Sequence, residues 1–199
     1  MVKIGITGGI GSGKSYVSRL LMERSVPVYD TDSEAKRLML ENAEIRKGLI
    51  KLLGNDVYQE NGELNKPLVA GYLFADKQNA ERINAVVHPQ VKADFNRWAM
   101  KQDKRWVALE SAILFESGFE DVVDFVVAVY APVEIRLKRV QERDGVTESQ
   151  VCKRMAAQLD DETKCNRSDF VIINDGSKSL EVQVDNLLQT LEMIEKGNG

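Results

Sequence analysis

The sequence is short of the residues that most often hold metals or form cross-links: one histidine, His88, and two cysteines, Cys152 and Cys165, in 199 residues. The cysteines lack C-x-x-C spacing and with a single histidine cannot complete a four-ligand site, which excludes zinc chemistry of the usual kinds. No stretch approaches the roughly 20 apolar residues of a membrane span. The apolar run before the first glycines is too short for a signal peptide. Neither sign of charge dominates: 27 Lys and Arg against 31 Asp and Glu leave a net charge of −4. That balance argues against a bulk nucleic-acid binder and against a disordered acidic chain. Internal repeats and low-complexity segments are also missing. The expectation is a soluble, cytoplasmic protein with reduced thiols, no nucleic-acid partner and no membrane partner.

What is present is a hydrophobic content of 43%, enough for one compact domain with a modest insertion. Glycine is unevenly placed: of 14 in total, Gly5, Gly8, Gly9, Gly11 and Gly13 fall in the first 13 residues. Short runs rich in Val and Ile predict buried strands at Val2 to Thr7, Val26 to Tyr29, Trp106 to Glu110, Val122 to Tyr130 and Phe170 to Ile173. Helical patterns lie between them, so the chain reads as an α/β protein, a parallel sheet flanked by helices. Leu180, Val184, Leu187, Leu188, Leu191 and Ile194 make one face of a C-terminal amphipathic helix.

Two segments break the alternation. From about residue 33 to 104 the pattern is helical, punctuated by Gly54, Gly62, Pro67 and His88-Pro89, and predicts a helical insertion between the second and third strands. The core is then about 1–32 and 105–199. Within it, the stretch from about 136 to 167 carries eight arginines or lysines, and reads either as a lid or as ordinary surface helix.

Gly8-Gly9-Ile10-Gly11-Ser12-Gly13-Lys14-Ser15 matches G-x-x-x-x-G-K-[ST] between a predicted strand and a predicted helix. Glycines let the backbone turn successive N–H groups around a phosphate, and the helix N-terminus adds its positive end. Lys14 would reach the β- and γ-phosphate oxygens, and the Ser15 hydroxyl would serve a Mg²⁺ ion. The motif points to a nucleoside triphosphate and is silent on the acceptor. A guanine-dependent switch is disfavoured, because Asn65-Lys66-Pro67-Leu68 lacks the final Asp of N-K-x-D and no D-x-x-G occurs.

Phosphoryl transfer to an alcohol needs a group that takes the hydroxyl proton. Asp30-Thr31-Asp32 follows the second strand, where ligands of parallel sheets bind. One of the pair can be that base and either can cap the next helix; spacing leaves both open. Glu110 ends the third strand and is a candidate to hold Mg²⁺ through water. Glu116, in the apolar run after it, is a second candidate for a direct role. Arg139 and Arg143, four apart on a helix, form with Arg136, Lys138 and Arg154 either a phosphate clamp or a set of surface ion pairs. The lone His88 reads more readily as structural than as catalytic.

With these motifs in hand, the chain resembles the dephospho-CoA kinase family over nearly its full length. The resemblance rests on Ile6 through Ser15, Asp30-Thr31-Asp32, His88-Pro89, Leu114-Phe115-Glu116-Ser117-Gly118, Arg139 with Arg143-Asp144, Arg154 with Gln158, and Asp169 with Val171-Ile172 and Asn174. It implies a P-loop NTPase-type fold with a helical CoA-binding insertion and a helical lid. It also implies ATP-dependent phosphorylation of the ribose 3′-hydroxyl of dephospho-CoA, with Mg²⁺. Carried onto this sequence, the base is Asp32, and Lys14, Arg139 and Arg143 complete the catalytic set. ATP contacts run through Gly9, Ile10, Gly11, Ser12, Gly13, Lys14, Ser15, Tyr16 and Asn174, the last near the adenine. His88 and Glu116 help form the acceptor site. Tyr16, Thr31 and Ala112 depart from the family's usual Thr, Ala and Pro without removing a group the chemistry requires. The sequence does not choose between a monomer and a small homo-oligomer.

Overall fold

The computed structural model describes residues 1–197. The chain divides into two compact units, one formed by Met1–Tyr29 with the chain from Gln102 onward, the other by Asp30–Lys101.

The first unit holds a five-stranded sheet in the order β2-β3-β1-β4-β5, with β1 Val2–Thr7, β2 Val28–Asp30, β3 Trp106–Glu110, β4 Phe125–Tyr130 and β5 Phe170–Ile173. β1 pairs in parallel with β3, Ile4 opposite Ala108, and with β4, Ile6 opposite Val127. β4 pairs in parallel with β5, Val129 opposite Ile172. The strands lack polar alternation because both faces are covered. Ile4, Ile6, Val127 and Ile172 are buried with Val17 and Leu21 of α1 (Lys14–Glu23). The same core takes in Val184, Leu187 and Leu191 of the C-terminal helix Leu180–Gly197. The amphipathic stripe predicted there fades at its end, where Ile194 is 42% exposed. Gly5 is a packing residue: a Cβ on it would lie 2.6 Å from Leu114 Cδ1.

Two strand boundaries differ from the sequence reading. Val122 closes a 3₁₀ turn, Phe119–Val122, that Gly118 opens in the left-handed region, so β4 starts only at Phe125. Val26 precedes β2, its N–H bonded to Leu21 O at the end of α1.

The second unit is helical: α2 Thr31–Glu41, α3 Ala43–Leu53, α4 Lys66–Ala75 and α5 Lys77–Met100. α2, α3 and α4 each pack against α5. Asp30 caps α2, Asn42 caps α3, Asn65 caps α4 with Pro67 in its first turn, and Asp76 caps α5. Gly54 ends α3 with φ 87°. His88-Pro89 does not interrupt the chain as the sequence suggested; α5 runs through Pro89. Val87, Val91 and Phe95, four apart and buried, form a stripe whose packing outweighs the one backbone hydrogen bond proline removes.

Within the first unit, the charged stretch folds as α6 Val133–Asp144, α7 Glu148–Ala156 and α8 Asp161–Asn166, followed by β5 and then α9 Leu180–Gly197. Among the described residues no helix is long and apolar enough to cross a membrane.

Candidate active site

The site grows from the carboxyl end of β1, the central strand. Residues 8–13 turn the chain from β1 into α1, with φ of 80° at Gly11 and 98° at Gly13. Gly13 is the N-cap of α1 and has no side chain to cap with. A Cβ there would collide with the Asn174 amide, so the position is strained and blocked for any other residue. The loop is closed by Ser12 N–H to Gly9 O, 3.1 Å, and Asn174 Nδ2 donates to Ser12 O at 2.7 Å. Lys14 Nζ arches over the loop, donating to Gly8 O at 2.9 Å and Gly9 O at 3.2 Å.

Glu110, the last residue of β3, receives two hydroxyls from successive turns of α1: Ser15 Oγ on Oε1 at 2.9 Å and Ser18 Oγ on Oε2 at 2.6 Å. Ser15 is exposed and Ser18 is buried, so Ser18 holds the carboxylate from behind while Ser15 faces the cradle. The donors here are all oxygens. Among the described residues no group of three or more His, Cys, Asp or Glu is placed to hold a metal. An ion at Ser15 and Glu110 would therefore take most of its ligands from phosphate and water, which is how Mg²⁺ binds and how zinc or calcium in protein cages does not. The hydroxyls of Thr7, Ser12 and Ser111 at this end of the sheet are buried without a hydrogen-bond partner among the described residues. Orphaned polar atoms of that kind gather at functional sites.

Lys14, Ser15, Tyr16, Arg139 and Arg143 line one cavity of about 180 Å³ with Gly11 and Gly13. Arg139 is half-buried; its Nη2 donates to the Asn174 main-chain O at 3.2 Å and to Oδ1 at 3.3 Å. Arg143 is exposed and paired with Asp144 at 2.7 Å, a carboxylate that Arg154 shares at 2.8 Å. Hydrogen bonding from Arg143 pulls the Asp144 carboxyl below its usual range. Tyr16 sends its hydroxyl to Glu181 of α9 at 3.1 Å, and that carboxylate pushes the phenol pKa up. Arg136, grouped with these cations by sequence, is instead 4% exposed and ion-paired to Asp161. Lys138 lies on the surface 4.0 Å from Glu142.

Glu116 Oε1 accepts from Leu159 N–H at 2.7 Å and from Lys164 Nζ at 3.1 Å. Lys164, 1% exposed, also donates to Ala112 O at 2.6 Å. Asp32 and His88 belong to the other unit. Asp30 caps α2, accepting from Asp32 N–H at 3.1 Å and from Ser33 Oγ at 2.5 Å. The Asp32 carboxylate, exposed in the first turn, has no side-chain partner among the described residues. The alternatives left open by spacing thus separate, with Asp30 as the cap. His88 is half-buried in α5, and burial, then the charge of Lys92, push its pKa below 6.5. Sequence reasoning did not single out Ser18 or Lys164. For Ser18 a signal existed, since it follows Ser15 by three on one face of α1.

A phosphate loop after the central strand of a parallel sheet, with a lysine, a serine and two arginines around one cavity, defines a P-loop kinase. Shikimate kinase from Acinetobacter baumannii shares that fold, with a TM-score of 0.55 at 17% identity over 97% of this chain and 94% of that one. The dephospho-CoA kinase family model matches residues 2–179, and the chain belongs to that family. It is 48% identical over 191 residues to a dephospho-CoA kinase of Bacteroides fragilis, covering 96% of this chain and 93% of the relative. A crystal structure from Thermus thermophilus superposes with a TM-score of 0.80 at 35% identity, covering 96% of each chain.

Proposed function

We propose that this protein transfers the γ-phosphoryl group of ATP to the ribose 3′-hydroxyl of dephospho-CoA, giving coenzyme A and ADP, the last step of coenzyme A biosynthesis. The observation that carries the reading is the extent of the family match, residues 2–179, which takes in the phosphate loop, the Asp30-Thr31-Asp32 turn and the arginine-bearing helices together. The protein acts in the cytoplasm on soluble small molecules, as a monomer or small homo-oligomer.

In this reading the backbone N–H groups from Gly11 to Ser15 surround the β-phosphate, aided by the N-terminus of α1. Lys14 exchanges the carbonyls of Gly8 and Gly9 for β- and γ-phosphate oxygens. Arg139 and Arg143, which line the same cavity, neutralise charge on the transferring group. Ser15 would hold Mg²⁺ by its hydroxyl and Glu110 through water, and the ion would supply neutralisation of phosphate charge. Asp32 takes the proton of the 3′-hydroxyl as that oxygen bonds to the γ-phosphorus and the bond to the β–γ bridging oxygen breaks. The capping role of Asp30 supports Asp32 as the base. We assign acceptor binding to the unit Asp30–Lys101, with His88 among its residues, and give Glu116 of the first unit an acceptor-binding role as well. Gly9, Ile10, Tyr16 and Asn174 complete the ATP side.

The test is acceptor dependence. Purified protein with MgATP and dephospho-CoA is expected to form ADP and coenzyme A in equal amounts. ADP appearing at the same slow rate without acceptor would contradict the reading.

A further inference from the structure

The phosphate loop is held on its outer side by the segment that joins α7 to α8. Ile10 N–H donates to Gln158 Oε1 at 3.0 Å, and Ile10 O accepts from Arg136 Nη1 at 3.4 Å. Both polar groups of one loop residue are thus engaged by side chains more than 120 positions away in sequence. The neighbours of Ile10 fit the same grip. A Cβ on Gly9 would strike the Arg136 guanidinium and lie 2.6 Å from Asp161 Oδ1, and one on Gly11 would lie 2.7 Å from Arg136 O.

The junction that supplies Gln158 is itself fastened. Asp160 caps α8, Asp161 is ion-paired to Arg136, Leu159 N–H is bonded to Glu116, and Lys164 is bonded to Ala112 O and Glu116. Gln158 therefore stands on a post anchored to α6 and to the loop after β3, at the carboxyl end of the sheet.

We infer that Gln158 is a positioning residue for nucleotide binding, its side-chain carbonyl holding the crest of the phosphate loop through Ile10 N–H. A glycine-rich loop loses more conformational freedom on ordering than other backbone. Order supplied by Gln158 in advance is order the nucleotide need not impose, and affinity rises accordingly. Gly11, Gly13 and Lys14 line the cavity, while the Ile10 N–H is engaged on Gln158. The residue thus acts through the loop and leaves the cavity free. The inference rests on reading the loop as a triphosphate cradle.

The test compares Gln158→Met, which keeps the length and loses the acceptor, with Gln158→Glu, which keeps the acceptor. ADP and ATP binding are measured by calorimetry at about 0.5 M salt, where the added charge of Glu is screened. For Gln158→Met, Kd for ADP and KM for ATP are expected to rise about fivefold to tenfold, the worth of one such hydrogen bond. KM for dephospho-CoA, kcat and Tm are expected to stay near native, and Gln158→Glu to bind within about twofold of native. Native-like nucleotide affinity in Gln158→Met overturns the inference. So does an equal loss in Gln158→Glu, or a loss spread over both substrates with a fall in Tm. Failure of the native protein itself to bind ADP or ATP would instead overturn the reading of the loop.

Discussion

The Lys164–Glu116 pair makes an asymmetric prediction about stability. The lysine is 1% exposed, whereas the glutamate side chain is 21% exposed and keeps a second partner in Leu159 N–H. Glu116→Met leaves a buried ammonium with only the Ala112 carbonyl, and leaves the Leu159 N–H without its acceptor. Breaking a buried pair from the side that strands the deeper charge costs about 4 kcal/mol. Lys164→Met removes that ammonium altogether and fills its space with a side chain of similar length. The carboxylate it leaves behind reaches solvent and keeps its backbone donor, so the net loss is about 1 kcal/mol. At about 2 to 4 °C per kcal/mol for a chain of this size, Tm should fall by roughly 8 to 16 °C in Glu116→Met and by roughly 2 to 4 °C in Lys164→Met. The double variant should lose about 3 kcal/mol less than the sum of the single losses, since it no longer strands a charge. Urea unfolding of the four proteins gives the cycle, and thermal melts give the order. Equal losses, a larger loss for Lys164→Met, or additivity in the double variant would refute the argument.

Three further outcomes follow from the geometry. His88 is the only histidine, so its imidazole resonances are assigned by inspection; they should titrate with a midpoint below 6.5, and Lys92→Met should raise that midpoint only in part, because burial is the larger cause. Since the unfolded chain takes up a proton below about 6.5 that folded His88 resists, this residue's contribution to stability is present above that pH and is lost on acidification; a midpoint above 6.5 reverses the sign. Ser18→Ala removes one hydrogen-bond donor from Glu110 and should raise the Mg²⁺ needed for half-maximal rate, and the Kd for Mn²⁺ followed by electron paramagnetic resonance, about threefold to tenfold; no change in either removes Ser18 from that role. Asp32→Asn should lower kcat by about 10² to 10⁴ while ATP affinity stays within about twofold, and near-normal turnover would place the base elsewhere.

The sheet was legible because buried parallel strands are continuous apolar runs, and β1, β3 and β5 fall where those runs lie. β4 was overextended at its start, since Val122 and Val123 are apolar but Val122 closes the 3₁₀ turn that Gly118 opens and Val123 follows it. The phosphate loop was legible because its glycines answer a local need of the backbone. Pro89 misled, as its local cost is outweighed by the stripe that Val87, Val91 and Phe95 bury. Asp30 and Asp32 could not be told apart by spacing, and only the hydrogen bonds to Asp32 N–H and Ser33 Oγ assign the cap. Arg136 joined Arg139 and Arg143 by proximity in sequence, yet its helix position turns it inward to Asp161. The roles of Gln158 and Lys164 depend on partners 148 and 48 to 52 positions away, and no local pattern reports such contacts.

The central claim is that the cradle on β1 passes a phosphoryl group to an acceptor hydroxyl rather than to water. Phosphorus NMR of native protein with MgATP and dephospho-CoA tests it directly. As the γ-phosphate signal of ATP falls, a phosphomonoester signal should rise in step with the β-phosphate of ADP, with the new phosphate coupled to the ribose 3′ proton. Growth of inorganic phosphate in place of that signal, or a phosphomonoester at another carbon of the acceptor, would contradict the account.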